Sequence, residues 1–139
     1  MSIQHLIKFG EGKSPDIFSK IADAAAFETK YTKDKFGELK KNDKNKNTQL
    51  RKFYDELAMW NERVQLDQTD KLAKFKELEP FIKMLKAKVA YAKGRKHIDD
   101  NFMNIFNKTV DEIRCPQTLK EAKLFMEAVM GYCKLYETK

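Results

Sequence analysis

NTQLRKFYDELAMWNERV, residues 47–64, has the clearest helical pattern in this 139-residue chain. Its apolar residues fall within one arc of roughly 120° if the chain advances about 100° per residue. They are Leu50, Phe53, Tyr54, Leu57, Trp60 and Val64. Arg51 lies beside this arc and Lys52 lies opposite it. The pattern predicts a helix that packs by one face and carries positive charge on another, an arrangement suited to contact with a polyanion.

Similar apolar patterns elsewhere predict a chain of helices and no convincing strand. Helices are expected over residues 15–29, 48–66, 69–79, 81–94, 98–114 and 117–136. Ser14 before Pro15 is a typical helix start, and Asn47 is the expected cap of the second helix. Pro80 is expected to kink or restart its helix, and residues 118–121 read as a capping box. The predicted fold class is all-α: a compact antiparallel bundle of five to six helices.

The chain is long enough for one hydrophobic core and too short for two ordinary domains. Residues 1–139 are therefore expected to form a single helical domain, with residues 1–13 as an N-terminal tail. The helical pattern fails over residues 30–47, which hold seven lysines, and Phe36 and Leu39 are the only clear apolar anchors there. This segment is predicted to be an exposed basic loop with a short helical turn at most.

The composition favours a soluble protein with excess positive charge. The formal net charge is +7, and charged residues make up 35% of the chain. The longest apolar run, residues 24–27, is far too short to span a bilayer, and residues 1–10 lack the apolar core of a secretory signal. Cys115 and Cys133 would lie too far apart to form a disulfide, because the last predicted helix separates them. A cytoplasmic location with no membrane partner is expected.

No catalytic, metal-binding or cofactor-binding constellation stands out. His5 and His97 are far apart, and neither has a Cys or His at metal-ligand spacing. The adjacent acids Asp99 and Asp100 suit a helix N-terminus, where the helix dipole favours negative charge. The five glycines form no phosphate-binding loop, and the serines belong to no nucleophile motif. The sequence predicts a protein that is not an enzyme and uses no metal or cofactor.

A second group of basic residues follows the first along the chain. Four of its lysines fall within about 100° of one another if their helical segment is continuous. The group consists of Lys76, Lys83, Lys86 and Lys93, followed by Arg95 and Lys96. Surfaces of this kind can bind a phosphate backbone without reading bases. A second interpretation is simple ion pairing on the helix surface, since acids lie four residues after both Arg51 and Lys52; such pairs are worth about 0.2–0.5 kcal/mol.

Two of these elements resemble a known family. NTQLRKFY at residues 47–54 and LKAKVAYAKGR at residues 85–95 are similar to elements of the small helical subunit of type III-A CRISPR–Cas (Csm) effector complexes. That family shows Thr/Ser-Gln-Leu-Arg-Lys-Phe-Tyr and, later in the chain, Lys-Leu-Ala-Tyr-Ala-x-Gly-Arg. The resemblance covers residues 47–139. Two departures are modest: Thr48 stands where serine is frequent, and Ala87 stands where a proline often precedes the lysine.

The resemblance implies a structural, non-catalytic subunit. In the family, copies associate with one another as an inner filament along the duplex of guide RNA (crRNA) and target RNA. Other Csm effector subunits lie beside them and carry the cleavage activities, while the small subunit contacts RNA backbone whatever its sequence. The matching positions here are Arg51, Lys52, Lys88 and Arg95. The charge pattern alone adds Lys86, Lys93 and Lys96 to this predicted RNA-binding set.

Two other functions fit the same residues. A helical scaffold or protein-interaction module would carry the positive charge for solubility, and its RNA binding would be weak and insensitive to salt. A DNA-associated or regulatory helical domain would need a recognition helix and a symmetric partner. No helix–turn–helix pattern with a tight glycine turn stands out, so this second alternative is the less favoured of the two.

Overall fold

The computed structural model describes residues 3–138, and helices dominate them. A short 3-10 helix, Ile3–Leu6, is followed by α1 (Lys20–Lys30), β1 (Tyr31–Lys33), β2 (Leu39–Lys41), α2 (Asn47–Gln65), α3 (Lys71–Lys83), α4 (Leu85–Gly94), α5 (Asp100–Asp111) and α6 (Pro116–Thr138). The predicted all-α class is confirmed, with one small two-stranded sheet added in this described range. Among the described helices, none combines the length and the hydrophobicity that a membrane-spanning segment requires.

α6 lies at the centre of the bundle, packed along both α1 and α2. Its buried apolar side chains recur at heptad-like spacing, as the sequence predicts. They are Leu119, Ala122, Phe125, Met126, Val129 and Cys133. Burial raises the pKa of the Cys133 thiol to about 12, so this side chain packs as a small apolar group. Both Cys115 and Cys133 are free thiols.

α2 has the helical phase that the sequence predicts. Leu50 and Leu57 are fully buried, Phe53 is 7% exposed, and Tyr54 packs against the same core while partly exposed. The helix begins at Asn47 itself, so this residue occupies the first helical position and is not the predicted cap. The amphipathic pattern therefore identified the buried face correctly and misplaced the helix start by one residue.

The described part of the predicted N-terminal tail belongs to the core. Ile7 is fully buried and Phe9 is 2% exposed. The backbone N–H of Gly10 donates to Glu121 of α6 at 2.6 Å. Residues 1 and 2 of the predicted tail lie outside the described residues. The expectation of a tail was wrong for this part because a segment so short has too few apolar positions for a helical or strand period to appear.

α1 begins later than predicted, at Lys20. Ser14 and Pro15 open a run of tight turns instead. The N–H of Ile17 donates to the Ser14 carbonyl at 3.1 Å, and Ser14 Oγ accepts from the N–H of Asp16 at 3.0 Å. The Ser-Pro pair therefore marks the start of a turn whose backbone hydrogen bonds join residues three apart. The α-helix begins only after this turn.

Residues 31–41 form a β-hairpin, where the sequence predicted an exposed loop with a helical turn at most. Tyr31 pairs with Lys41 across the two antiparallel strands. Phe36 and Leu39, the expected apolar anchors, are 78% and 55% exposed, so that expectation is wrong. Each strand has only three residues, and lysine is a poor strand former, so no strand pattern is visible in the sequence.

α3 continues through Pro80 and ends at Lys83, so the helix does not restart at the proline as predicted. The break comes at Met84, between α3 and α4. Pro80 cannot donate to the carbonyl of Lys76, but both residues are exposed, so solvent can satisfy that carbonyl. The break separates Lys76 and Lys83 from the basic residues of α4.

α6 starts at Pro116, a helix position that suits proline, and the predicted capping box is wrong. Thr118 occupies the third helical position. Its Oγ1 accepts from the N–H of Cys115 at 2.9 Å and from the N–H of Arg114 at 2.8 Å. Glu121, the expected partner of Thr118, instead bonds the N-terminal segment. Thr118 thus satisfies backbone groups that precede the helix.

A buried polar network anchors the segment between α1 and α2 at both ends. Lys30 Nζ donates to the carbonyl of Asn45 at 3.0 Å and to Glu137 Oε2 at 3.1 Å. Fully buried Asn45 donates from Nδ2 to the Thr29 carbonyl at 2.9 Å and to Asp99 Oδ1 at 2.7 Å. Asp99 also caps α5, as expected for an acid at a helix N-terminus. The predicted exposed loop is therefore exposed only in part.

Candidate nucleic-acid interface

The two sequence elements that carry most of the predicted RNA-binding residues lie side by side in the fold. Glu56 of α2 accepts from Lys88 Nζ of α4 with both carboxylate oxygens, at 2.7 and 3.0 Å. The N–H of Asn45, just before α2, donates to the carbonyl of His97, just after α4, at 3.0 Å. These two contacts place α2 and α4 antiparallel to each other over this stretch.

Four of the predicted residues fall along the junction between these two helices. Lys52 lies one turn before Glu56 on α2, and Arg95 lies two turns after Lys88 on α4. Lys96 follows Arg95 with a left-handed φ of 65°. All four basic side chains are exposed. We define Lys52, Lys88, Arg95 and Lys96 as the α2–α4 basic face.

Arg95 is held against an aromatic ring on its own helix. The guanidinium carbon lies 5.8 Å from the ring centroid of Tyr91, and Nη1 donates to the Tyr91 hydroxyl at 3.2 Å. This contact orients the side chain through a cation–π interaction. An arginine has five N–H donors, so the guanidinium keeps donors that can bind phosphate oxygens.

Arg51 and Lys52 do not form the intrahelical ion pairs of the second interpretation. Glu56, the acid four residues after Lys52, is engaged by Lys88 instead. Within residues 3–138, no carboxylate forms an ion pair with Arg51, Lys52 or Lys96. Their positive charges therefore remain available to a partner.

Lys86 and Lys93 lie on the other flank of α4, so the structure does not bring them together with Lys88. Lys86 Nζ is 2.6 Å from Asp111 Oδ1, and Lys93 Nζ is 3.1 Å from Asp100 Oδ1. Both acids belong to α5. Lys86 and Lys88 differ by about 200° around the helix axis, which sends one side chain toward α5 and the other toward α2.

Arg51 lies in a separate groove between α2 and α6. The groove has a volume of about 680 Å³. Its lining includes Thr48, Arg51 and Tyr54 from α2 and Met130, Gly131 and Lys134 from α6. We call it the α2–α6 groove. A single residue advances a helix by about 100°, so the consecutive residues Arg51 and Lys52 fall on different sides of α2.

A shared carboxylate joins the two walls of this groove. Tyr54 Oη donates to Glu127 Oε1 at 3.2 Å, and Lys123 Nζ donates to the same oxygen at 2.6 Å. The hydrogen bond from Lys123 lowers the pKa of the Glu127 carboxyl, and burial raises the pKa of the Tyr54 hydroxyl. Beyond Tyr54, a second depression of about 600 Å³ continues along α2 and is lined by Lys71 and Lys120.

Sequence reasoning missed the lysines of α6 that border this groove and the second depression. Lys120, Lys123 and Lys134 fall within about 60° of one another at about 100° per residue, and this spacing is the signal that identifies them. A third depression, of about 390 Å³, adjoins the groove at the start of α2 and is lined by Lys44 and Lys46, among others. Basic side chains therefore recur from the hairpin side of the bundle along the α2–α6 groove, interspersed with Asp43, Glu127 and Glu137.

Fold and charge placement together define a class: a small all-helical protein with basic side chains on exposed helix flanks. A family model described as Csm2 Type III-A matches residues 23–139. The chain therefore belongs to the Csm2 Type III-A family, the structural small subunits of type III-A CRISPR complexes. Comparison with curated proteins and with solved structures gave no match. The matched range includes both sequence elements and the hairpin, and excludes the segment with Ile7 and Phe9.

Proposed function

We propose that this chain contacts the backbones of guide RNA and target RNA in a type III-A CRISPR complex, without reading their sequence, in antiviral defence. The α2–α4 basic face supplies the main contact, and Arg51 adds to it from the α2–α6 groove. Copies of the chain associate along the RNA duplex, next to the other Csm subunits. Its role is to hold RNA and to contribute to assembly, while cleavage belongs to those other subunits.

The observation that carries this proposal is the contact between Lys88 and Glu56. It joins the two helices that carry the family elements, so that basic residues distant in sequence form one face. It also occupies the acid that would otherwise neutralise Lys52. Lysine and arginine side chains contact phosphates regardless of the attached base, so such a face binds RNA by charge and position.

We expect the isolated protein to bind single-stranded RNA with micromolar or weaker affinity that falls between about 50 and 200 mM salt and hardly varies with sequence. Replacing Lys52, Lys88 and Arg95 together with alanine removes three phosphate contacts. The plot of log affinity against log salt concentration should then become less steep by about 2, at roughly 0.7 per contact on a single strand. Fluorescence anisotropy with labelled RNAs of unrelated sequence measures both quantities.

The matched control replaces Lys76, Lys86 and Lys93 with alanine and removes the same formal charge from other surfaces of α3 and α4. We expect a smaller effect, because none of these three lysines belongs to the α2–α4 basic face. Ion pairing does not distinguish the two variants, since Lys88 is paired with Glu56 just as Lys86 and Lys93 are paired with acids of α5. Equal losses from the two triple variants would mean that only net charge matters and would contradict the assigned face. Weak binding that is insensitive to salt would favour a scaffold that binds only protein.

The pure protein is expected to hydrolyse neither RNA nor DNA in the presence of magnesium or manganese. The adjacent acids Asp99 and Asp100 have structural partners: Asp99 binds Asn45 and caps α5, and Asp100 pairs with Lys93. Gel analysis of labelled RNA and DNA tests this. Cleavage that copurifies with the protein and disappears on Asp100→Asn would show that the chain is a nuclease.

A further inference from the structure

The tip of the β-hairpin exposes Phe36, the most exposed large hydrophobic side chain among the described residues, at 78%. Its turn has a defined conformation. Asp34 Oδ1 accepts from the N–H of Phe36 at 2.8 Å and from the N–H of Glu38 at 3.0 Å. Gly37 has a left-handed φ of 81° and donates its N–H to the Asp34 carbonyl at 3.0 Å. These bonds hold the aromatic ring at the end of the hairpin, away from the core.

The base of the hairpin is fixed to the bundle. The Tyr31 ring stacks on Phe27 with centroids 4.8 Å apart and meets Tyr136 edge-on at 5.8 Å. The N–H of Asn42 donates to the Lys30 carbonyl at 2.8 Å. Phe27 and Tyr136 belong to α1 and α6, so the strands start from a packed platform. The position of the tip relative to the helices is therefore determined by the fold.

The hairpin that carries the exposed ring is rich in lysine. Its lysines are Lys33, Lys35, Lys40 and Lys41. Lys35 Nζ lies 5.1 Å from the centroid of the Phe36 ring. The acids of the hairpin are Asp34 and Glu38, and the Asp34 carboxylate is already bonded to two backbone N–H groups. An aromatic ring beside one lysine, on a hairpin that carries three more, is suited to a partner that combines a flat apolar surface with negative charge.

We propose that Phe36 stacks on an unpaired base of single-stranded RNA while the hairpin lysines contact the neighbouring phosphates. This inference rests on the proposed RNA contact and adds a second mode of binding to it. A nucleobase supplies the flat apolar face, and its backbone supplies the charge. Phenylalanine has no hydrogen-bonding group, so the stacking does not depend on base identity.

The surrounding surface favours RNA over a hydrophobic pocket of a protein partner. Lysine is depleted in the cores of protein–protein interfaces, because its charge must be desolvated or paired there. The depression lined by Lys44 and Lys46 also connects the base of the hairpin to the α2–α6 groove. An RNA strand that contacts Arg51 in that groove can therefore follow adjoining depressions, with basic residues along them, toward the base of the hairpin that carries Phe36.

The test compares Phe36→Ala with the unmodified protein on two RNAs. One is a short single-stranded RNA of mixed sequence, and the other has the same length but carries abasic sites, so its phosphates remain and its bases are absent. Phe36→Ala should weaken binding to the first by at least about fivefold, since one stacked base contributes about fivefold to 150-fold. It should change binding to the abasic RNA by less than about twofold.

Two further variants serve as controls. Phe36→Trp should keep the affinity for base-containing RNA, because a larger ring also stacks. Leu39→Ala removes the other exposed apolar side chain of the hairpin and should leave both affinities unchanged. Thermal melts confirm that each variant is folded. Because Phe36 occupies an exposed turn position, the melting temperatures of its variants should stay close to that of the unmodified protein.

The outcomes separate this inference from the proposed function. If Phe36→Ala changes neither affinity, or weakens both RNAs equally, base stacking is wrong, and salt-dependent binding through Lys52, Lys88 and Arg95 still stands. If Phe36→Ala leaves RNA binding intact and abolishes binding to another Csm subunit, the tip binds protein and the inference is overturned. If the unmodified protein binds no RNA, both proposals fail.

Discussion

Phe53→Ala is expected to lower the free energy of unfolding by about 3–5 kcal/mol, the usual result of emptying a large aromatic site in a core. The Phe53 ring centroid lies 6.0 Å from that of Phe102 and 5.8 Å from that of Phe106, and both partners are fully buried. These three rings join α2 to α5, so alanine leaves a cavity between the two helices. Denaturant titration followed by circular dichroism measures the change.

The neighbouring residue provides the control. Lys52 is exposed and has no ion-pair partner within residues 3–138, so Lys52→Ala should change the free energy of unfolding by less than about 0.5 kcal/mol. Its effect should appear in RNA affinity, and combining it with Arg95→Ala should increase that effect. If Lys52→Ala unfolded the protein while Phe53→Ala left it intact, the helix phase would be wrong. The RNA-facing assignment would then be wrong as well.

Asn45→Ala is the second substitution with a large expected effect, a loss of about 2–5 kcal/mol in the free energy of unfolding. The side chain is fully buried and bonds both the Thr29 carbonyl and Asp99. Its removal takes one donor each from the Thr29 carbonyl and the Asp99 carboxylate, which both keep Asn42 Nδ2 as a donor. It also removes the acceptor of the Asp99 N–H, and a buried donor without a partner costs about 1–3 kcal/mol. Asn45 also has a left-handed φ of 58°, a conformation that asparagine tolerates better than alanine. The measurement is again denaturant titration.

Asn45→Gly separates the two causes. Glycine adopts the left-handed conformation without strain, so this variant removes the hydrogen bonds of the side chain and adds only the entropic cost of ordering a glycine, roughly 0.5–1 kcal/mol. We expect it to remain clearly destabilised, though less than Asn45→Ala. A glycine variant as stable as the unmodified protein would show that the backbone conformation, and not the polar network, makes this position sensitive.

The sequence predicted the helices with long apolar patterns and missed the elements that are short or polar. The phase of α2 and the heptad-like buried face of α6 follow from periodicity over many residues, and the structure agrees with both. The hairpin has three-residue strands with exposed lysines, so its strands leave no alternating pattern. Its best local signal was the turn, since Asp34 and Gly37 are typical turn residues.

The predicted RNA-binding set shows what periodicity cannot supply. Exposure of these basic residues could be anticipated from their positions relative to the apolar arcs. The ion-pair partners of these residues could not be anticipated, because the identity of each partner depends on which helix packs on each side of α4. That helix lies between α2 and α5, so Lys88 meets Glu56 while Lys86 meets Asp111. A break at Met84 instead of at Pro80 further changed which lysines share a surface.

The buried network around Lys30 and Asn45 bears on the order in which the molecule folds. The hydrogen bond from Lys30 to Glu137 joins residues that are 107 positions apart in sequence. The hydrogen bond from Asn45 to Asp99 joins residues that are 54 positions apart. Closure of long loops carries an entropic penalty that helix formation, with its local contacts, avoids. We therefore expect individual helices to form early and this network to form late. Asn45 also fixes the end of α4 to the start of α2, so we expect the proposed RNA-binding face to be completed only when this network has formed.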